Sequence, residues 1–191
     1  MLKILRSYKV IILLSYLLAM QKYMDVDIYG KCSRGPIKHT CGREKEKDCY
    51  DMMEKNYKFY LSFENSLCAD YITEKYFNIF KYNVIPISYS GVDFSSTAPP
   101  HSSINALEFE PKMLVKHLER LNEQDNLYAE YFWWKDFYVI RHRMEDRAQA
   151  YCDLCAKLNN PNEPPKVYKD MFEWWVSKSR CKKLKASRLG S

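Results

Sequence analysis

The chain lacks both short motifs that most directly announce a phosphate-binding enzyme: neither GxGxxG nor GxxxxGK[ST] occurs in its 191 residues. A nucleotide site here must therefore be built without those glycine-rich loops. No second CxxC and no HxxxH accompany Cys152-Asp-Leu-Cys155, so a complete tetrahedral zinc site has no sequence support and no metal ligand set is named. RNA-binding and zinc-finger patterns are missing, as are internal repeats. Long apolar runs are missing too. The longest candidate, residues 10–20 (VIILLSYLLAM), falls short of the roughly 20 residues that span a bilayer. Extending it back to Ile4 takes in Arg6 and Lys9, which are costly in lipid. A signal anchor behind a basic flank and a buried core helix both remain open for this segment.

What is present argues for a folded protein. Hydrophobic residues make up 47% and aromatics 15%, too much apolar material for a disordered chain. The length suits one domain, or one half of an enzyme whose halves close around a substrate. The net charge of +6 gathers at the termini, in Lys3, Arg6 and Lys9 and again in Arg180, Lys182, Lys183, Lys185 and Arg188. Between residues 50 and 150 the charges are mixed, so a nucleic-acid partner is not expected. Seven cysteines suggest a lumenal or secreted setting with disulfides, and the odd number leaves at least one unpaired.

Along the chain, residues 26–30 alternate and break at Gly30, predicting a strand into a loop. Residues 31–49 read as a polar loop stapled by disulfides. Residues 57–63 (YKFYLSF) predict a buried strand, 72–82 a helix and 84–87 a third strand, together a βαβ unit with a parallel sheet. A loop over 88–103, a helix over 111–121, an aromatic helix or docking segment over 128–138 and a short apolar helix over 171–176 complete the pass. Three regions are expected: an N-terminal segment 1–20, a Rossmann-like unit 21–150, and a cysteine-containing basic tail 151–191.

The stretch FENSLCADYITEK (63–75) is the densest in chemistry. It lies where a parallel sheet places its ligands, at the carboxyl end of a strand. A helix start near Thr73, with Lys75 on its first turn, offers N–H groups and positive charge to a phosphate. Glu64 or Glu74 suits sugar hydroxyls, and Tyr71 suits a ring face. The plainer alternative is that Asp70 or Thr73 only caps a helix while Glu74 favours its first turn and Lys75 is solvated.

The run YKFYLSFENSLCADYITEK (57–75), with VIPISYSG (84–91), APPHSSIN (98–105), LYAEYFWWKDFY (127–138) and CDLCAKLNNPNEPPKVY (152–168), resembles the C-terminal half of the invertebrate-type α-1,3-fucosyltransferases; YMDVDIYGKC (23–32) and CYDMMEKN (49–56) fit the same family. The resemblance implies an α/β, Rossmann-like parallel sheet, the C-terminal half of a GT-B type glycosyltransferase. It implies GDP-fucose as donor, no cofactor, and transfer in α-1,3 linkage to N-acetylglucosamine of glycoprotein glycans. It places Lys75 on the diphosphate, Glu74 on ribose or fucose hydroxyls, Tyr71 against the nucleotide, and Glu64, Asn65 and Ser66 beneath the fucose. It also implies a type II single-pass Golgi membrane protein with its catalytic part in the lumen.

Departures from the family pattern are part of the expectation. The general base belongs to an N-terminal half that this sequence does not carry. Leu13 stands where the family has a phosphate-binding arginine, Ser90 where it has glycine, Phe94 and Ser103 where it has tyrosine, and Asn159 where it has histidine. Cys152 and Cys155, which the family pairs with cysteines near the start of its catalytic region, are left free or paired to each other. Two functions follow: a truncated fucosyltransferase chain, or a non-catalytic lumenal remnant that binds a GDP-sugar or nothing.

Overall fold

A computed structural model describes residues 11–29, 46–140 and 143–182. The apolar runs marked as buried strands form β1 (Phe59–Phe63) and β2 (Ile85–Tyr89), and every residue of both is buried. They pair in parallel, from Phe59 opposite Ile85 to Phe63 opposite Tyr89. The two-residue β3 (Ile104–Asn105) pairs in parallel with β2, giving the order β1-β2-β3. Between β1 and β2 the chain passes through α3 (Glu74–Phe77) and a 3-10 turn, Asn78–Lys81. The α/β class and the parallel βαβ unit are as the sequence predicts.

The alternation of side chains along β1 and β2 sorts them into two cores. Phe59, Leu61, Phe63, Ile85, Ile87 and Tyr89 join Tyr16, Leu17 and Met20 of α1 (Ile11–Met20) and Leu114, Val115, Leu118 and Leu121 of α4 (Pro111–Glu123). Tyr60 and Val84 instead join Tyr50 and Met53 of α2 (Glu46–Asn56), with Tyr76, Ile79, Phe80 and Trp134. The sheet is thereby covered on both faces, as parallel sheets require. Helix α4 shows why its spacing was legible: positions 111, 114, 115, 118 and 121 are the buried ones, and each fully buried aliphatic side chain contributes about 1.5–3 kcal/mol. Beyond α4 come α5 (Asp125–Ala129), a 3-10 stretch Glu130–Asp136, and α6 (Arg143–Leu158).

Of the two readings left open for the apolar N-terminal segment, α1 packs as a core helix: the Tyr16 hydroxyl donates to the carbonyls of Ala106 and Phe109 at 3.2 and 3.0 Å. Among the described residues no helix is long and apolar enough to cross a membrane. Several other expectations need correction. Residues 26–29 join no ladder. Their alternation is real, since Val26 and Ile28 face one core and Tyr29 the other, but among the described residues no strand pairs with them. Side-chain bonds replace it: Gln21 Nε2 donates to the Val26 carbonyl, and the Tyr57 hydroxyl donates to Asp27 Oδ2. Residues 46–49 open α2 rather than ending a loop, while 30–45 lie outside the described residues. The helix expected over 72–82 is one α turn plus one 3-10 turn. The apolar helix expected over 171–176 is a π turn at Glu173–Ser177 whose tryptophans are exposed.

Cys68 and Cys181 form a disulfide across 113 residues of sequence, stabilising by about 4–5 kcal/mol through the entropy of the unfolded chain. Cys49 is also disulfide-bonded. Cys152 and Cys155 are free and exposed on α6.

The turn after β2 brings two segments into close contact. Ser90 does not take a positive φ, so its Cβ carries none of the strain that a left-handed glycine position would impose. Its hydroxyl donates to the Tyr71 carbonyl at 2.9 Å. Gly91 cannot be replaced so easily, because a Cβ there would stand 2.7 Å from the Cys68 carbonyl oxygen and 2.9 Å from the Leu67 carbonyl carbon. Both are backbone atoms. Gly91→Ala is expected to destabilise the chain by about 1–3 kcal/mol, the usual cost of overpacking. Urea unfolding measures it, and an unchanged midpoint would contradict the packing described.

Candidate functional site

β1 ends at Phe63 and β2 at Tyr89, so the loops that follow them share the carboxyl edge of the sheet. The first residue past β1 is Glu64, whose N–H donates to the Tyr89 carbonyl at 3.1 Å. That bond extends the ladder by one step and turns the Glu64 side chain under the loop, where the residue is only 1% exposed.

A buried carboxylate must be paired or hydrogen-bonded, and this one is both. Oε1 accepts from the Thr73 N–H and from Thr73 Oγ1, each at 2.8 Å. Oε2 accepts from Thr73 Oγ1 at 3.0 Å and from Lys75 Nζ at 3.5 Å. Thr73 is the N-cap of α3, and its hydroxyl also accepts from the Lys75 N–H at 3.5 Å. The anion seated at the start of this helix is thus the protein's own Glu64. α3 has only four residues, so its dipole adds little, and the free N–H groups expected there are partly spent on Glu64 and Thr73.

Lys75 is the cation of this cluster. Its side chain is 11% exposed, and Nζ donates to Asn65 Oδ1 at 2.9 Å as well as to Glu64. An ammonium has three donors, and two of them are directed at Glu64 and Asn65. Within the bonded pair Glu64 offsets the charge of Lys75.

The remaining residues named from sequence take different stations. Asn65 and Ser66 are exposed on the loop, and Glu74 is exposed at the first position of α3. Tyr71 is half-buried, its carbonyl held by Ser90. Burial pushes the Tyr71 phenol up, and the carboxylates of Glu64 and Glu74 push it further, so it stays a neutral hydroxyl able to donate. Behind the loop, burial raises Tyr76 to about 12 against the opposing hydrogen bonds of Ser103 and Ser102. The Tyr76 hydroxyl and Ser103 Oγ stand 2.8 Å apart, and Phe94 packs on the Tyr76 ring at 5.0 Å. The two positions that depart from tyrosine in the family pattern therefore both support Tyr76. Asn159, the residue after α6, donates from Nδ2 to the Cys155 carbonyl in its last turn. Leu13 lies in α1, with its side chain outside the described residues.

Structure brings Glu64, Asn65 and Lys75 into one bonded cluster and sets Tyr71, Glu74 and Ser66 around it. Thr73 is the residue whose part was missed. The signal was a threonine one position before an acidic residue at a helix start, weighed only as a cap. Among the described residues no group of three His, Cys, Asp or Glu is placed to hold a metal ion.

Comparison with known proteins converges on one family. Residues 13–174 match the family described as "Glycosyltransferase family 10 (fucosyltransferase) C-term". "Alpha-(1,3)-fucosyltransferase C" of Drosophila melanogaster is 37% identical over 164 residues, covering 84% of this chain and 36% of that protein. "Glycoprotein 3-alpha-L-fucosyltransferase A" of the same organism is 38% identical over 174 residues, covering 88% and 33%. The chain thus spans about a third of the length of these relatives. A crystal structure of an alpha1,3-fucosyltransferase with GDP-fucose superposes with a TM-score of 0.62 at 17% identity, over 88% of this chain and 48% of that one, a likeness of fold.

Glu64→Gln tests whether the carboxylate organises this edge. The amide cannot accept at both ends, so its NH2 meets either the Thr73 N–H or Lys75 Nζ, donor against donor. Stability is expected to fall by about 1.5–3 kcal/mol, the scale of hydrogen bonds to a charged group. Equal unfolding free energies for variant and wild type would remove Glu64 from that role.

Proposed function

This chain belongs to glycosyltransferase family 10, the fucosyltransferases, and we propose that it supplies the GDP-fucose-binding half of an α-1,3-fucosyltransferase. The observation that carries this reading is Lys75, held at the carboxyl edge between β1 and β2 by a buried carboxylate and by Asn65. In this reading Lys75 turns its third donor to the diphosphate. Glu74 takes ribose or fucose hydroxyls, and Tyr71 lies against the nucleotide. Glu64, Asn65 and Ser66 shape the floor under the fucose, Glu64 acting from beneath as the group that positions Thr73 and Lys75.

Departure of GDP from the anomeric carbon leaves a centre with oxocarbenium character and adds negative charge to the leaving diphosphate. A fixed ammonium beside that diphosphate stabilises the charge as it develops, without reorganising in the transition state. Attack from the opposite face also needs a base for the acceptor hydroxyl, and none of the residues assigned here plays that part. The acceptor we propose is N-acetylglucosamine of glycoprotein glycans, fucosylated in α-1,3 linkage. The setting is a Golgi membrane with the catalytic part lumenal, supported by the Cys68–Cys181 disulfide, which suits an oxidising compartment.

Calorimetric titration with GDP, and a radiolabelled transfer assay with GDP-fucose on the same sample, test the proposal. Wild-type chain is expected to bind GDP, and Lys75→Ala to weaken that binding by about 1.5–3 kcal/mol. Unchanged affinity in a variant that melts cooperatively would take Lys75 off the diphosphate. Binding without transfer would favour the non-catalytic alternative for this chain.

A further inference from the structure

The C-terminal segment beyond α6 returns to the candidate site at one short stretch of loop. Cys181 is disulfide-bonded to Cys68. On either side of that bond the Ala69 N–H donates to the Ser179 carbonyl at 2.8 Å, and the Lys182 N–H donates to the Leu67 carbonyl at 2.9 Å. Residues 67–69 are thus gripped from outside by residues 179–182. From inside they rest on Gly91, where no side chain fits between the two backbones.

The rest of this segment does not bury itself against the body. Met171, Phe172, Trp174, Trp175 and Val176 are all exposed, so the attachment at 67–69 is not a by-product of broad packing. Immediately after the gripped residues, Asp70 takes a φ of 61°, a left-handed conformation that a non-glycine residue keeps where its surroundings over-determine it. Tyr71 follows, pinned through its carbonyl by Ser90, and then Thr73 and Lys75.

We infer that the Cys68–Cys181 bond and its two flanking backbone hydrogen bonds form a clasp that positions the donor loop, so that the C-terminal segment sets the affinity of a site more than a hundred residues earlier. The inference rests on the reading of 64–75 as the donor site. The bonds between Glu64 and Thr73 close the loop at its base, and the clasp fixes its apex. Without the clasp the apex samples more conformations, and a ligand must order it on binding, which appears as lost affinity. Cys68 and Cys181 are positioning residues in this account and touch no donor atom.

The test compares wild type with the Cys68→Ser/Cys181→Ser double variant, first by amide hydrogen exchange without nucleotide and then by GDP titration. Amides of residues 67–73 should exchange about tenfold faster while those of β1 and β2 keep their protection, and GDP affinity should fall about tenfold. Unchanged exchange at 67–73, or faster exchange there with unchanged GDP affinity, would overturn the inference. If wild type does not bind GDP, the donor-site reading fails, and the exchange result alone decides whether the clasp holds the loop. Should the double variant lose protection in β1 and β2 as well, Lys182→Pro replaces it, removing the Lys182 N–H while keeping both cysteines, with Lys182→Ala as the control for the lost side chain. The proline variant is expected to loosen 67–69 and to weaken GDP binding in the same direction, and wild-type values for both would count against the clasp.

Discussion

Everything at the carboxyl edge of this sheet depends on a single buried carboxylate. Glu64 is the first residue past a fully buried strand, and its backbone continues the ladder to Tyr89. The side chain therefore has nowhere to go but under its own loop. Left alone there it would be costly. Thr73 and Lys75 satisfy it, and in doing so they fix where the next helix begins and where its lysine points. One residue thereby converts the end of a strand into a seat for a cation. Breaking a buried pair by removing one partner is expensive even where forming it contributes little, so the arrangement tolerates neither a missing Glu64 nor a displaced Thr73.

The layers beneath serve that edge. Two cores, one against α1 and α4 and one against α2 and Trp134, hold β1 and β2 from both sides. That fixes the distance between the two loops that leave them. Gly91 and Ser90 then join the second loop to the first, one by having no side chain and the other by having a hydroxyl. Ser90 shows how a departure from a family pattern can be absorbed: with no positive φ at that position, the side chain is accommodated and its oxygen is put to use.

Much of this was legible in the sequence, for identifiable reasons. β1 and β2 are runs buried on both faces, which composition alone marks, and α4 keeps a 3.6-residue spacing of buried positions. Helix α2 was not legible, since EKDCYDMMEKN carries little apolar periodicity and is anchored mainly by Tyr50 and Met53. Residues 26–29 were misjudged because alternation reports which side each residue faces, not whether a strand lies alongside. At the site, the cluster Glu64, Asn65, Tyr71, Glu74 and Lys75 could be picked out from residue types near a strand end. The bonding among them could not, because Glu64 meets Thr73 only once the loop closes. Nor could the link between Cys68 and Cys181, since spacing does not fix disulfide connectivity.

The measurement that bears most directly on this account is a crystal structure of the chain with GDP. The diphosphate should lie within about 3 Å of Lys75 Nζ, the distance of a charge-assisted hydrogen bond, with Glu64 still accepting from Thr73 beneath it. A nucleotide bound away from the carboxyl edge of β1 and β2, or one leaving Lys75 engaged only with Glu64 and Asn65, would contradict the account.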